Sequence, residues 1–150
     1  IDSQKGWAVG GKVNVYPDVS TDLEILTTNN GGETWQVQLA QDFGPVQRRV
    51  YFIDENVGFS IGDGSIMKTT NGGNNWFDSY GSNNTLTDIF FEDENLGWAV
   101  GYGVVNAANV PLLLRTSDGG ATWTSEYFTD YENETFNGVR FTDSLNGWAV

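Results

Sequence analysis

The groups in this sequence that could do chemistry are mostly carboxylates: there are 20 Asp and Glu residues, 7 Lys and Arg residues, and neither His nor Cys. Without His or Cys, the chain cannot build a Ser-His-Asp triad, a thiolate nucleophile, a disulfide or a zinc site of the usual kind. The net charge of −13 argues against nucleic acid, anionic membranes and acidic partners, since all would be repelled. Basic proteins, cations and neutral sugars remain open as ligands.

Four aspartates recur in a short motif that we call the acidic turn. In each copy, Asp stands five residues before an aromatic residue and Gly stands one residue before it. The copies span 2–7, 54–59, 93–98 and 143–148. Asp2, Asp54, Asp93 and Asp143 are suited to cap turns by accepting backbone hydrogen bonds, and a ring of metal ligands is the alternative.

A second motif alternates with the first, and we call it the Thr–Trp motif. It reads Thr-x-Asn/Asp-x-Gly-x-x-Trp and spans 28–35, 69–76 and 116–123. Three copies in alternation with the acidic turn indicate a repeat architecture.

Short apolar runs lie between the motifs and predict four strands in each repeat. One run precedes the acidic turn, as in 50–53, and a second follows it, as in 98–101. A third leads into the Thr–Trp motif, as in 112–115, and a fourth follows that motif, as in 123–126. Four antiparallel strands per repeat of about 40–50 residues predict an all-β fold made of β-propeller blades.

The chain divides into about three to three and a half blades. The predicted boundaries are 1–41 (strands two to four), 42–82, 83–132 and 133–150 (strands one and two). Because propellers close with about four to eight blades, we expect missing blades or a homo-oligomer to complete the ring. The start without Met or a signal peptide suggests a processed protein or a fragment, and no stretch approaches 18 apolar residues, so we expect no transmembrane segment.

The Thr–Trp motif resembles the Asp box of BNR-type propellers, which include sialidases, sortilin-like receptors, xyloglucanases and the photosystem II assembly-factor group. The repeated Gly-Trp-Ala-Val, at 97–100 and 147–150, is most similar to the assembly-factor-like group. That group is widespread in bacterial surface and secreted proteins, so the resemblance implies an extracellular, cell-surface or periplasmic location. The families are defined by architecture and their functions differ.

The resemblance implies that the residues of the Thr–Trp motif build Asp-box hairpins between the third and fourth strands. Asn or Asp would accept backbone hydrogen bonds, Gly would adopt a positive φ, and Trp would pack between blades. A glycan-binding or catalytic role for the Trp residues is the alternative. The residues concerned are Thr28, Asn30, Gly32, Trp35, Thr69, Asn71, Gly73, Trp76, Thr116, Asp118, Gly120 and Trp123.

Variable loops mark the face where a ligand is expected. The spacing from the turn aromatic to the next motif Thr varies, from Trp7 to Thr28, Phe59 to Thr69 and Trp98 to Thr116. Strand alternation places these loops opposite the Asp boxes, beside the connections between blades, and function usually lies on variable loops. The candidate ligand-binding residues on this face are Tyr16, Asp18, Asp42, Tyr80, Tyr102, Asn106 and Tyr131.

Aromatic and acidic side chains of this kind suit sugar recognition by stacking and hydrogen bonding, and carboxylates also suit Ca²⁺. No loop has an EF-hand-like pattern, and no cofactor is expected. Solvated loops of an acidic protein are the alternative.

An enzyme is the competing interpretation. A sialidase-like site would need three arginines gripping a carboxylate, but the chain has only four: Arg48, Arg49, Arg115 and Arg140. Nothing marks Arg48, Arg49 and Arg140 as a triad, and we expect these three to form ion pairs instead. A xyloglucanase-like site would need two carboxylates facing each other across a cleft, and none is singled out. The basic patch ascribed to photosystem II assembly factors is also hard to build from 7 basic residues.

We therefore expect a non-catalytic binding or scaffold module that recognises a protein or a glycan. A glycoside hydrolase of sialidase or xyloglucanase type, or a self-assembling surface component, is the alternative.

Overall fold

The computed structural model describes residues 3–14, 20–42 and 44–150. Within these ranges the chain forms strands and no helix, which confirms the all-β prediction. The strands are β1 (Gly6–Asn14), β2 (Ser20–Thr28), β3 (Gln36–Gln41), β4 (Gln47–Phe52), β5 (Gly58–Thr69), β6 (Phe77–Phe91), β7 (Gly97–Val105), β8 (Ala108–Thr116), β9 (Thr124–Tyr127), β10 (Val139–Phe141) and β11 (Gly147–Ala149).

All neighbouring strands pair antiparallel in chain order. They form a three-stranded sheet β1-β2-β3, a six-stranded sheet from β4 to β9, and a two-stranded sheet β10-β11. Each acidic turn within the described residues joins two paired strands, as between β4 and β5.

Strand β5 folds back on itself at its centre. The Lys68 ammonium lies 5.6 Å from the centre of the Phe59 ring, whereas nine residues of straight strand would separate them by about 30 Å. Gly64, with a φ of 81°, supplies the tight turn. The second and third strands predicted for this repeat are therefore one continuous run with a turn inside it.

Strand β6 belongs to two repeats. Residues 77–81 pair with β5 and residues 85–91 pair with β7, and Thr85 pairs with both strands. The six-stranded sheet thus contains two four-stranded units that meet within β6.

The two motifs lie together at one end of the strands, which we call the turn end. In each repeat, the first Gly of the Thr–Trp motif donates its N–H to a carbonyl of an acidic turn. The pairs are Gly31 to Gln4 at 2.8 Å, Gly72 to Asn56 at 2.8 Å and Gly119 to Asn95 at 2.9 Å. These bonds tie the Thr–Trp motif to the acidic turn of the same repeat, since the two bonded residues always lie within one predicted blade.

The opposite end, which we call the connection end, holds the links between repeats. Asp63, in the turn within β5, donates its N–H to the Val46 carbonyl at 2.9 Å. Phe128, after β9, donates to the Pro111 carbonyl of β8 at 2.9 Å. Turns between second and third strands therefore lie beside the connections.

Successive repeats pack through stacked aromatic rings. In the first three acidic turns, the aromatic residue stacks on the last aromatic residue of the first strand in the next repeat, which buries large apolar area. The stacks are Trp7 on Phe52 at 3.5 Å, Phe59 on Phe91 at 4.4 Å and Trp98 on Phe141 at 3.7 Å between ring centres. Strands β4, β6 and β10 consequently follow one another around a common axis, β4 beside β6 and β6 beside β10.

The glycine of the acidic turn is required by this packing. A Cβ on Gly97 would lie 2.5 Å from the Phe91 ring, closer than any real contact. The Phe91 ring lies over Gly97, and in this position it stacks on Phe59 of the preceding repeat.

Candidate functional site

The Thr–Trp motif forms the same hydrogen-bonded turn in all three repeats. In the third, Thr116 Oγ1 accepts the N–H of Gly120 at 2.8 Å and of Asp118 at 3.3 Å, and donates to Asp118 Oδ1 at 2.8 Å. Asp118 Oδ1 also accepts the Thr122 N–H at 2.9 Å. Thr28 with Asn30 and Thr69 with Asn71 repeat this arrangement.

Hydrogen bonds hold the motif carboxylate of the third repeat in its ionised form. The Thr122 hydroxyl, which donates to Asp118 Oδ2 at 2.6 Å, is the main cause that lowers the pKa of Asp118 to about 2. Backbone N–H groups lower the pKa of the acidic-turn aspartates in the same direction, led by Val57 for Asp54, Leu96 for Asp93 and Leu145 for Asp143. A carboxylate that accepts hydrogen bonds within its own turn stabilises that turn.

The motif tryptophans contribute to packing. Trp123 packs against the largest core cluster and donates Nε1–H to Ser79 Oγ at 3.0 Å. Trp76 packs against a second cluster with Leu23 and Ile25. Trp35 is 44% exposed and lies at the turn end.

The candidate ligand-binding residues lie apart from one another. Tyr16 and Asp18 fall outside the described residues, as does Asp2 of the first acidic turn. Asp42 is exposed just after β3. Asn106 is exposed at the tip of the β7–β8 hairpin, with a φ of 51°.

The three tyrosines of that set have different surroundings. The Tyr80 hydroxyl accepts a hydrogen bond from Asn84 Nδ2 at 3.2 Å, and the same amide reaches Tyr127. Tyr102 is half-buried in β7, whereas Tyr131 is exposed and lines a cavity. No hydrogen bond or ring contact joins any two of the candidate residues in the described ranges.

A site that the sequence patterns did not predict lies near the axis, and we call it the axial cavity. Asp88 on β6 is buried, with its side chain 3% exposed. Its Oδ1 lies 2.7 Å from Arg49 Nε on β4, and its Oδ2 lies 2.8 Å from Arg140 Nη1 on β10. Oδ2 also accepts the N–H of Val139 at 3.0 Å. One carboxylate therefore links the first strands of three successive repeats.

The axial cavity has a volume of about 470 Å³ and extends to Asn137 and Gly138, which lie on the connection just before β10. Arg49, Asp88 and Arg140 line it together with Asn137, Gly138, Val139, Trp148 and Val150. The two arginine side chains are 41% and 54% exposed. Their bonds to Asp88 engage Nε of one and Nη1 of the other, so further N–H donors of both groups remain for a ligand.

The sequence holds a signal for this site. Arg49 and Asp88 both stand five residues before the Asp of their acidic turns. Opposite charges at equivalent positions of successive repeats become neighbours around an axis. The expected ion pairs are present: Arg48 pairs with Asp63 at 3.0 Å on the surface, while Arg49 and Arg140 share Asp88.

The described residues contain no group of three or more Asp or Glu residues placed to hold a metal ion. They also contain no helix long and apolar enough to cross a membrane.

No family model matches this sequence, and neither does any curated protein sequence. Solved structures do match. YCF48 from Cyanidioschyzon merolae has a TM-score of 0.58 at 17% identity, over 95% of this chain and 47% of that one. YCF48 bound to a D1 peptide has a TM-score of 0.56 at 19% identity, over 71% of this chain and 33% of that one.

A GH74 enzyme from Niastella koreensis has a TM-score of 0.56 at 13% identity, over 82% of this chain and 22% of that one. The chain is a partial β-propeller. It spans less than half the length of each of these three structures. The propeller prediction is confirmed, and at these identities the likeness shows the fold alone.

Proposed function

We propose that this partial propeller is a non-catalytic binding or scaffold module that recognises a protein at its connection end. The observation that carries the proposal is the pair Arg49 and Arg140, which Asp88 holds at the axial cavity. Two oriented guanidinium groups form a preorganised anchor, since little side-chain entropy remains to be lost on binding.

The state of Asp88 supports binding rather than catalysis. A general acid or base must be free to exchange a proton with a substrate. Asp88 instead bonds two guanidinium groups and the Val139 N–H. Its role is to fix the arginines, and a GH74-like hydrolase has no comparable support from the axial cavity.

The ligand group that fits the arginines is a carboxylate on a protein segment. Guanidinium groups bind carboxylates through paired, charge-assisted hydrogen bonds. The net charge of −13 would repel a strongly acidic partner, so we expect a single carboxylate at this point. The D1 peptide bound to YCF48 supports a protein ligand over a glycan.

The repeated turns around Thr28, Thr69 and Thr116 support membership of the BNR/Asp-box propellers. A secreted or surface location fits the bacterial proteins that the sequence resembles.

The test is selection from a phage-displayed library of random peptides, followed by calorimetry on the selected peptides. We expect an acidic residue shared by the selected peptides and at least a tenfold loss of affinity for Arg140→Gln, because a charged hydrogen bond contributes about 1.5–3 kcal/mol. Arg115→Gln is the matched control, since Arg115 is exposed on β8 outside the axial cavity. Failure to select any peptide, or equal affinity for wild type and Arg140→Gln, would overturn the proposal.

A further inference from the structure

A second cavity, which we call the aromatic cleft, lies in the connection between β9 and β10. It has a volume of about 370 Å³ and is lined chiefly by Pro111, Phe128, Tyr131, Glu134 and Phe136. Phe128 and Phe136 meet edge to face with ring centres 5.3 Å apart. Its walls are therefore aromatic, with one carboxylate among them.

The connection that forms the aromatic cleft is fixed in place by backbone hydrogen bonds. The Phe128 N–H donates to Pro111 O at 2.9 Å, and the Phe136 N–H donates to Gly101 O at 3.3 Å. Between them, the Asn133 N–H donates to Asn109 O at 2.6 Å. The Thr87 hydroxyl donates to Phe136 O at 2.6 Å. The cleft is thus preformed on the strands β6, β7 and β8, as binding pockets usually are.

The charge around the aromatic cleft has one sign. Asp130, Glu132 and Glu134 are all exposed on the connection. The sequence contains no Lys or Arg between Arg115 and Arg140. A cation entering the cleft meets no fixed positive charge on the segment that builds it.

We propose that the aromatic cleft binds a basic side chain, Arg or Lys, of a protein partner. A cation over aromatic rings is attracted by their negative faces, and Glu134 supplies the opposite charge beside them. The apolar stem of an Arg or Lys side chain suits the Pro and Phe walls. This inference rests on the proposed function only in taking the partner to be a protein, because the aromatic cleft and the axial cavity use different charged groups.

The test is an NMR titration of the chain with N-acetyl-arginine methylamide, with N-acetyl-norleucine methylamide and methyl α-glucoside as uncharged probes. We expect the arginine derivative to shift the ring signals of Phe128, Tyr131 and Phe136. Glu134→Gln should weaken its binding about threefold, in line with an exposed charge pair. Glu126→Gln, which removes an exposed carboxylate of β9 outside the cleft, should leave binding unchanged.

The outcomes separate this inference from the proposed function. Arg140→Gln, which removes an anchor of the axial cavity, should leave binding of the arginine derivative unchanged. The inference is overturned if no ring signal shifts, if the glucoside or the norleucine derivative binds as well as the arginine derivative, or if Glu126→Gln weakens binding as much as Glu134→Gln. If the library yields no binding peptide but the arginine derivative still binds, the proposed function is overturned and this inference stands.

Discussion

The hydroxyl of Thr116 should hold the third Thr–Trp motif together, and replacing it with a methyl group tests that role. Thr116 is 1% exposed, and its Oγ1 accepts the buried Gly120 N–H at 2.8 Å and the Asp118 N–H at 3.3 Å. Thr116→Val keeps the shape of the side chain and removes both acceptor contacts. A buried N–H left without a partner costs about 1–3 kcal/mol, and the longer bond adds less. We therefore expect Thr116→Val to lower the free energy of unfolding by about 2 kcal/mol.

Urea denaturation followed by tryptophan fluorescence measures this loss. With an m-value of about 2 kcal/mol/M, the midpoint should fall by about 1 M. Thr124→Val is the matched control, because Thr124 is exposed and its hydroxyl donates to the Arg115 carbonyl at 3.2 Å on the surface. It should change stability by less than about 0.5 kcal/mol. Equal midpoints for Thr116→Val and Thr124→Val would refute the structural role given to the motif.

Three further predictions concern packing and pH. Trp98→Ala should lower the free energy of unfolding by about 3–5 kcal/mol in urea denaturation, because Trp98 is 2% exposed. Trp148→Ala, at a residue 62% exposed, should lower it by less than about 1 kcal/mol. Similar losses for the two variants would contradict the role of stacking at Trp98. Gly101→Ala should cost about 1–3 kcal/mol because its Cβ would overlap a backbone carbonyl of β6, whereas Gly81→Ala, with open space around it, should be tolerated. The pKa of Asp118 is lowered from 3.8 to about 2, so the stability that its carboxylate contributes is present above pH 4 and is lost as the pH falls towards 2. Asp118→Asn should therefore lose less free energy of unfolding than wild type between pH 5 and pH 2. Identical acid-denaturation profiles for the two proteins would contradict this role of Asp118.

The local features of the fold could be predicted from the sequence because each is specified by a few neighbouring residues. The turn at Thr116 needs Asp118 and Gly120, all within one motif, and its hydrogen bonds are those that the residue types allow. The acidic turn of Asp93 is equally local. Periodicity then supplies the strands, and repetition supplies the propeller.

The candidate site depends on which residues from distant repeats become neighbours, and that was harder to predict. Arg49 and Asp88 are 39 positions apart and meet because their repeats are adjacent around the axis. Arg140 stands two positions further along its own repeat, so equivalence of position did not reveal it. Tyr80 has a ligand-like residue type, yet its hydroxyl accepts a hydrogen bond from Asn84 within the protein.

We propose that the connection end binds a protein, whereas the turn end stabilises the fold. Hydrogen–deuterium exchange with and without a selected peptide distinguishes the two ends. We expect slower exchange at 47–50 and 137–140, around the axial cavity, and unchanged exchange at 69–76 and 116–123. Protection confined to those two Thr–Trp motifs would place the ligand at the turn end and refute this assignment.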